Sequence, residues 1–111
     1  MATALNPGLE RRLKAHVEGD VLFDAGSRGR YATDASHYQM MPAGVVVPQT
    51  TQGAVAALAL AREEGVPVTA RGGGTSQCGQ TVNSGLIVDG SKHLNKLLSL
   101  DVAGRRCTVQ P

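Results

Sequence analysis

The sequence predicts an α/β domain: a small parallel βαβ sheet with flanking helices and a C-terminal hairpin. Three observations carry this. Val45-Val46-Val47 is a continuous apolar run closed by Pro48, which suits a buried strand. Residues 54–61 are almost all alanine and leucine, which suits a helix packed on a sheet, and Val66–Ala70 reads as a second strand. Leu97–Asp101 and Arg105–Gln110 flank Val102-Ala-Gly104 as the two arms of a hairpin.

Each element has a local reason. Leu9, Leu13 and Val17 recur at i, i+4 and i+8 among Glu10, Arg11, Arg12 and Lys14, giving a short amphipathic helix after Pro7 that ends at Gly19. Residues 1–7 read as a frayed terminus. Residues 20–44 carry Gly26, Gly29, Pro42 and Gly44 and read as irregular; so long a connection is expected to pack on something functional. Thr50 or Thr51 caps the alanine-rich helix and Gly65 ends it. Strand, helix and strand then form a βαβ unit, which implies a parallel pair with a right-handed crossover. Leu86–Asp89 is a third strand, and Ser91 caps a single turn over Lys92–Asn95.

Composition excludes several function classes. The chain has 111 residues, 41% hydrophobic and 18% charged, which fits one packed domain and not a disordered one. Aromatics are 3% and the net charge is +2 with the charges scattered, so nothing resembles a nucleic-acid surface. Cys78 and Cys107 stand alone without metal-ligand spacing. No apolar run has the length of a membrane span, and the N-terminus has no signal-peptide pattern. The expectation is a soluble, cytoplasmic protein.

Glycine is the outlier at 14 residues, roughly twice average usage. The glycines cluster in Arg71-Gly72-Gly73-Gly74-Thr75-Ser76-Gln77-Cys78-Gly79-Gln80-Thr81, directly after a strand. Three consecutive residues without Cβ let a ligand approach the main chain, and their N–H groups can converge on an anion. Thr75 and Ser76 add hydroxyls and Arg71 adds a permanent charge. A short helix over 75–82 would add its N-terminal dipole. These features fit a phosphate or pyrophosphate at the carboxyl end of a parallel strand. The plainer alternative is a flexible turn.

Two common phosphate loops are rejected. Gly74 to Thr81 nearly follows G-x-x-x-x-G-K-[ST], but Gln80 replaces the lysine that reaches the β and γ phosphates. The dinucleotide fingerprint G-x-G-x-x-G fails because Gln77 stands at its sixth position.

Several other residues are weighed and set aside. His37 is a catalytic candidate by position, though a lone histidine is more often structural. Asp34 and Asp89 have no spacing that pairs them, and Asp89 suits a turn with Gly90. Cys78 is either a reactive thiol at a helix N-terminus or, the more ordinary reading, a small buried filler; Met40-Met41 read as packing and Glu63-Glu64 as a solvated helix end.

Several motifs together resemble the FAD-linked oxidase superfamily of the vanillyl-alcohol oxidase/p-cresol methylhydroxylase type. They are Tyr31-Ala-Thr-Asp-Ala-Ser36, Val45-Val-Val-Pro48, Pro67-Val-Thr-Ala-Arg71-Gly-Gly-Gly-Thr-Ser76, Gly79-Gln80, Leu86-Ile-Val-Asp89, Ser91-Lys-His-Leu-Asn95 and Arg105-Arg-Cys-Thr-Val-Gln-Pro111. They stand in the family's order over residues 30–111. Within the superfamily the sequence looks most like the D-lactate dehydrogenase/glycolate oxidase branch, which oxidises D-2-hydroxy acids such as D-lactate, glycolate or 2-hydroxyglutarate. Tyr38-Gln-Met-Met-Pro42 with Ser91–Asn95 is similar to long members that carry an appended iron–sulfur region.

The resemblance implies a set of roles. Arg71, Gly72, Gly73, Gly74, Thr75 and Ser76 match the segment that wraps the FAD pyrophosphate. Gly79 and Gln80 match positions farther along that wall, and Pro48 matches the end of the first strand near the cofactor. Thr75 stands where covalently flavinylated relatives have histidine, which implies noncovalent FAD. The family's FAD domain runs on beyond the matched part, and a cap domain supplies its substrate pocket. The expectation is therefore an N-terminal piece: residues 1–29 a helix and linker, residues 30–111 the first half of the FAD-binding domain. The parent enzyme would be cytoplasmic or peripheral to the inner membrane, and any iron–sulfur cluster would lie in a part not present here. No residue of this chain is assigned to proton abstraction, and the piece alone is expected to be inactive and to self-associate. The alternatives are a stand-alone phosphate or nucleotide-binding module and a purely structural fragment.

Overall fold

The computed structural model describes residues 7–111; the expected frayed terminus lies almost wholly outside them. The order is α1 (Pro7–His16), β1 (Gly19–Leu22), α2 (Ala25–Arg30), β2 (Gly44–Pro48), α3 (Thr51–Glu63), β3 (Val68–Arg71), β4 (Leu86–Asp89), β5 (Leu97–Asp101) and β6 (Arg106–Val109). Two sheets form, one of order β1-β2-β4-β3 and a separate β5-β6 hairpin.

The βαβ expectation is corrected in one respect. β2 and β3 run parallel, but they do not pair. β4 lies between them and pairs parallel with both, Val46 opposite Val88 and Ala70 opposite Val88. Short-range pattern cannot show this, because the inserted strand comes later in the chain and is as apolar as its neighbours. A second correction follows at the other edge. β1 pairs antiparallel with β2, Val21 opposite Val46, so the sheet is mixed. The stretch read as irregular thus contains a strand and a helix. Asp20-Val-Leu22 is too short for its period to show, and α2 is a glycine-containing helix begun by Asp24, whose carboxylate accepts from the Ser27 N–H at 2.9 Å.

α1 and α3 cover one face of the sheet. Leu9 and Leu13 of α1, Ala57, Leu60 and Ala61 of α3, and Val46 and Leu86 of the sheet make one buried cluster. Val45, Val47 and Ile87 point to the opposite face, where Leu22 and Tyr31 pack on them. α1 ends at His16, before Gly19, which instead opens β1. α3 begins where expected, with the Thr50 hydroxyl accepting from the Gly53 N–H at 3.0 Å. Glu63 and Glu64 are not simply solvated: both pair with Arg12, tying α1 to the end of α3.

The hairpin forms as expected and stands clear of the core. Leu97, Leu98, Leu100, Val102 and Val109 are all exposed. The expected turn over Lys92–Asn95 is present, with the Leu94 N–H donating to the Gly90 carbonyl at 3.0 Å. Cys78, Met40 and Met41 are exposed, which corrects their reading as packing residues. Among the described residues no helix is long and apolar enough to cross a membrane.

Candidate functional site

β3 ends at Arg71 on the carboxyl edge of the sheet. β4 starts at the opposite edge, because the two strands are parallel. Residues 72–85 must therefore span the sheet, and they do so without the helix expected over 75–82. Bends and one turn replace it, since glycine is a poor helix former and Gly79 has φ +81°.

The glycines of this loop differ in what they do for the fold. Gly74 has φ +69°, and a Cβ there would lie 2.5 Å from Arg71 Nη2. A Cβ on Gly79 would lie 2.7 Å from the Tyr38 ring. Both are required by the chain's own packing. Gly72 and Gly73 are not. A Cβ on Gly72 meets nothing within 4 Å, and one on Gly73 meets only the Thr75 methyl at 3.6 Å, an ordinary contact. Neither has a positive φ. Among the described residues, no protein acceptor faces the main-chain N–H groups of residues 72–77. The chain therefore presents a run of free donors, the first three of them on glycines without a side chain. That is the chemistry of an anion cradle, and it fits a pyrophosphate.

Arg71 has a different role from the one expected. Its guanidinium lies over the Tyr31 ring, 5.1 Å from the centroid, and donates to the Thr33 carbonyl at 2.8 Å and the Tyr31 carbonyl at 3.4 Å. It is first a strut under Gly74. Its charge still sits beside the open donors. Tyr31 is fixed in turn: its hydroxyl donates to Asp89 Oδ2 at 2.6 Å. Burial, reinforced by that hydrogen bond, pushes the Tyr31 phenol up to about 12. Asp89 is buried at the end of β4 and its other oxygen accepts from the Ser91 N–H and hydroxyl at 2.8 and 2.6 Å. It does anchor the turn with Gly90.

Asp34 and Asp89 are not a pair; each has its own partners. Asp34 accepts from the Ser36 N–H at 2.8 Å and from the Thr81 hydroxyl at 2.9 Å. The hydrogen bonds from Ser36, and then from Thr81, hold its carboxyl down at about 2, against an ordinary 3.8. The folded value lies below the unfolded one. The stabilisation is therefore complete above 3.8 and is lost as pH falls to about 2. Asp34→Asn is expected to flatten that portion of the acid unfolding profile, measured by circular dichroism; an unchanged profile would contradict the assignment.

The remaining expected site residues are placed as follows. Thr75 and Gln80 are exposed on the loop and Ser76 is half-buried. The Gln80 side chain accepts from the Cys78 N–H at 3.3 Å. Pro48 is fully buried at the carboxyl end of β2, against Gly53, and is separated from Arg71 by β4. His37 is exposed. A cleft of about 380 Å³ adjoins the loop, lined by Ala70, Arg71, Gly72, Val88, Gly90, Leu94 and Pro111. Its walls are mainly apolar, so it offers room for a flat ring system beside the polar cradle. Sequence reasoning missed Tyr31, Thr81 and Asp89 as site-building residues. The Asp-x-Ser spacings at Asp34-Ala-Ser36 and Asp89-Gly-Ser91 were the available signal, each giving a carboxylate that binds its own backbone two residues on.

Comparison with known proteins identifies the family. Residues 42–111 match the family model described as an FAD binding domain. The D-2-hydroxyglutarate dehydrogenase of Haemophilus influenzae is 38% identical over 98 residues, covering 86% of this chain and 10% of that protein. The glycolate oxidase subunit GlcD of Bacillus subtilis is 38% identical over 99 residues, covering 86% of this chain and 21% of that protein. The chain thus spans about a tenth to a fifth of the length of these curated relatives. Among solved structures, alkyldihydroxyacetonephosphate synthase superposes with a TM-score of 0.74 at 19% identity, over 93% of this chain and 23% of that one. p-Cresol methylhydroxylase superposes with a TM-score of 0.65 at 15% identity, over 88% of this chain and 21% of that one. These two likenesses show the fold, as the sequence motifs implied. With the family model spanning β2 to the end of the hairpin and the open glycine cradle inside it, this chain belongs to the FAD binding domain family.

Proposed function

We propose that Arg71–Gln80 holds the pyrophosphate of a noncovalently bound FAD, in a dehydrogenase or oxidase acting on a D-2-hydroxy acid. The observation that carries the site is the pair Gly72 and Gly73, glycines that the chain's own packing does not need, under a run of free N–H groups. The substrate class rests on the named relatives, which are dehydrogenases and oxidases of 2-hydroxyglutarate and glycolate. Residues 30–111 are read as the first part of the FAD-binding domain, with residues 1–29 leading into it, in a cytoplasmic protein.

In this reading the chain's residues bind and orient. The N–H groups of 72–77 neutralise the diphosphate without side-chain reorganisation. The Thr75 and Ser76 hydroxyls add donors at its flank. Arg71, held by the Tyr31 and Thr33 carbonyls, lends positive potential while keeping Gly74 in place. Gly79 and Gln80 continue the wall, and Pro48 stands at the carboxyl end of β2, across β4 from Arg71. The apolar cleft by Ala70 and Val88 excludes water from a ring placed there. When bound, the flavin supplies two-electron redox chemistry.

Titration of the purified protein with FAD, ADP and riboflavin tests the site. FAD and ADP are expected to bind and riboflavin is not, because the cradle recognises the diphosphate. Riboflavin binding as tightly as FAD, or no binding of FAD and ADP, would overturn the reading. The linkage has its own test. Thr75 offers no imidazole for attachment, so acid precipitation is expected to leave all flavin in the supernatant. Flavin retained in the pellet would contradict noncovalent binding.

A further inference from the structure

We infer that the segment Tyr31–Tyr38 is a brace that sets the glycine loop in its ligand-ready shape before a ligand arrives, with Asp34 and Thr81 as the positioning pair. This rests on the proposed FAD site and deepens it.

The loop does little to hold itself. Two hydrogen bonds close within it, Cys78 N–H to the Gln80 side chain at 3.3 Å and Val82 N–H to the Gly79 carbonyl at 3.4 Å, and both are long. Glycines have the largest backbone entropy to lose. A run of free N–H groups converges on one point only if their dihedral angles are fixed from outside.

Tyr31–Tyr38 supplies that constraint at four places. The Arg71 guanidinium donates to the Thr33 and Tyr31 carbonyls where the loop begins. The Ala35 N–H donates to the Gly74 carbonyl at 3.1 Å, aligning the last of the three glycines. The Tyr38 ring fills the space against Gly79. The Thr81 hydroxyl donates to Asp34 Oδ2 at 2.9 Å where the loop turns back toward β4. The loop is thus gripped on both sides of its free donors.

The brace is itself rigidly held. Tyr31 donates to buried Asp89 in β4. Asp34 Oδ1 accepts the Ser36 N–H, and Ser36 Oγ accepts the Tyr38 N–H at 3.0 Å. The Met40 N–H donates to the Ala32 carbonyl at 2.9 Å, closing the segment on itself. Asp34 is the hinge of the arrangement, because one oxygen shapes the brace and the other holds the loop. Donors fixed in advance bind more tightly because less order is lost on binding.

The test compares Thr81→Val, which keeps the shape and removes the hydroxyl, with Thr81→Ser, which keeps the hydroxyl. FAD titration and the ¹⁵N heteronuclear NOE of the Gly72–Gly74 amides in ligand-free protein are the two measurements. Thr81→Val is expected to weaken FAD roughly tenfold, as the loss of one charge-assisted positioning contact implies, and to lower the NOE values. Thr81→Ser is expected to restore both. The double variant Asp34→Ala/Thr81→Val is expected to be no worse than the weaker single variant. Wild-type NOE values in Thr81→Val would overturn the brace, as would equal losses in Thr81→Val and Thr81→Ser. If wild-type protein binds no FAD, the proposed function fails, while the NOE comparison still decides the brace.

Discussion

Gly73→Val is expected to weaken FAD binding by about a hundredfold or more while leaving the fold intact. The two effects separate because of where the new atoms go. A Cβ at residue 73 meets only the Thr75 methyl at 3.6 Å, so the protein has room for it. The branched methyls then occupy the space above the free N–H groups of residues 72–77. The diphosphate loses its approach to several charge-assisted donors at once, each worth about 1.5–3 kcal/mol. Loss of two such contacts accounts for the expected change, since about 1.4 kcal/mol is a factor of ten. Gly74→Val is the contrasting control. It forces a β-branched residue to φ +69° and drives its Cβ into the Arg71 guanidinium, so stability falls together with binding. Calorimetric titration and a thermal melt on both variants check this. Gly73→Val binding FAD like wild type would contradict a main-chain cradle.

The largest expected loss of stability is at Ile87. This residue is fully buried in β4, one of the two interior strands of the sheet, with Val45 opposite it in β2 and Thr69 in β3. It packs with Val45 and Val47 on the face that carries Tyr31. Ile87→Ala leaves a cavity in a layer with few other large side chains, at a cost of about 2–5 kcal/mol. A domain of this size has about 5–15 kcal/mol in total. The melting temperature is expected to fall by at least about 8 °C, at about 4–8 °C per kcal/mol. β4 also places Asp89 under Tyr31, so loosening of the brace is expected to accompany the loss. A shift of under about 3 °C would contradict the central position of this strand.

The elements with strong local signals were legible in the sequence. Three valines closed by Pro48, an alanine helix with a threonine cap, and Leu86–Asp89 all fall where their patterns put them. The glycine loop was legible as a break after β3, because three consecutive glycines favour neither helix nor strand. What escaped depended on long-range pairing. The insertion of β4 between β2 and β3, and the edge position of β1, are choices among apolar strands that look alike locally. The site's supporting residues escaped for the same reason. Asp34 and Thr81 are separated by 47 residues, and Tyr31 and Asp89 by 58, so no spacing joins them. Arg71 was visible as a cation beside the glycines, but its hold on the Tyr31 and Thr33 carbonyls was not.

The central claim is that the main-chain N–H groups of residues 72–77 receive the diphosphate of FAD. The most direct measurement is a ¹H–¹⁵N NMR titration of the protein with FAD, with riboflavin as the diphosphate-free control. The account predicts that the Gly72, Gly73, Gly74, Thr75, Ser76 and Gln77 amides shift downfield and saturate with FAD but stay in place with riboflavin. FAD binding that moves other amides and leaves these six unchanged would contradict it.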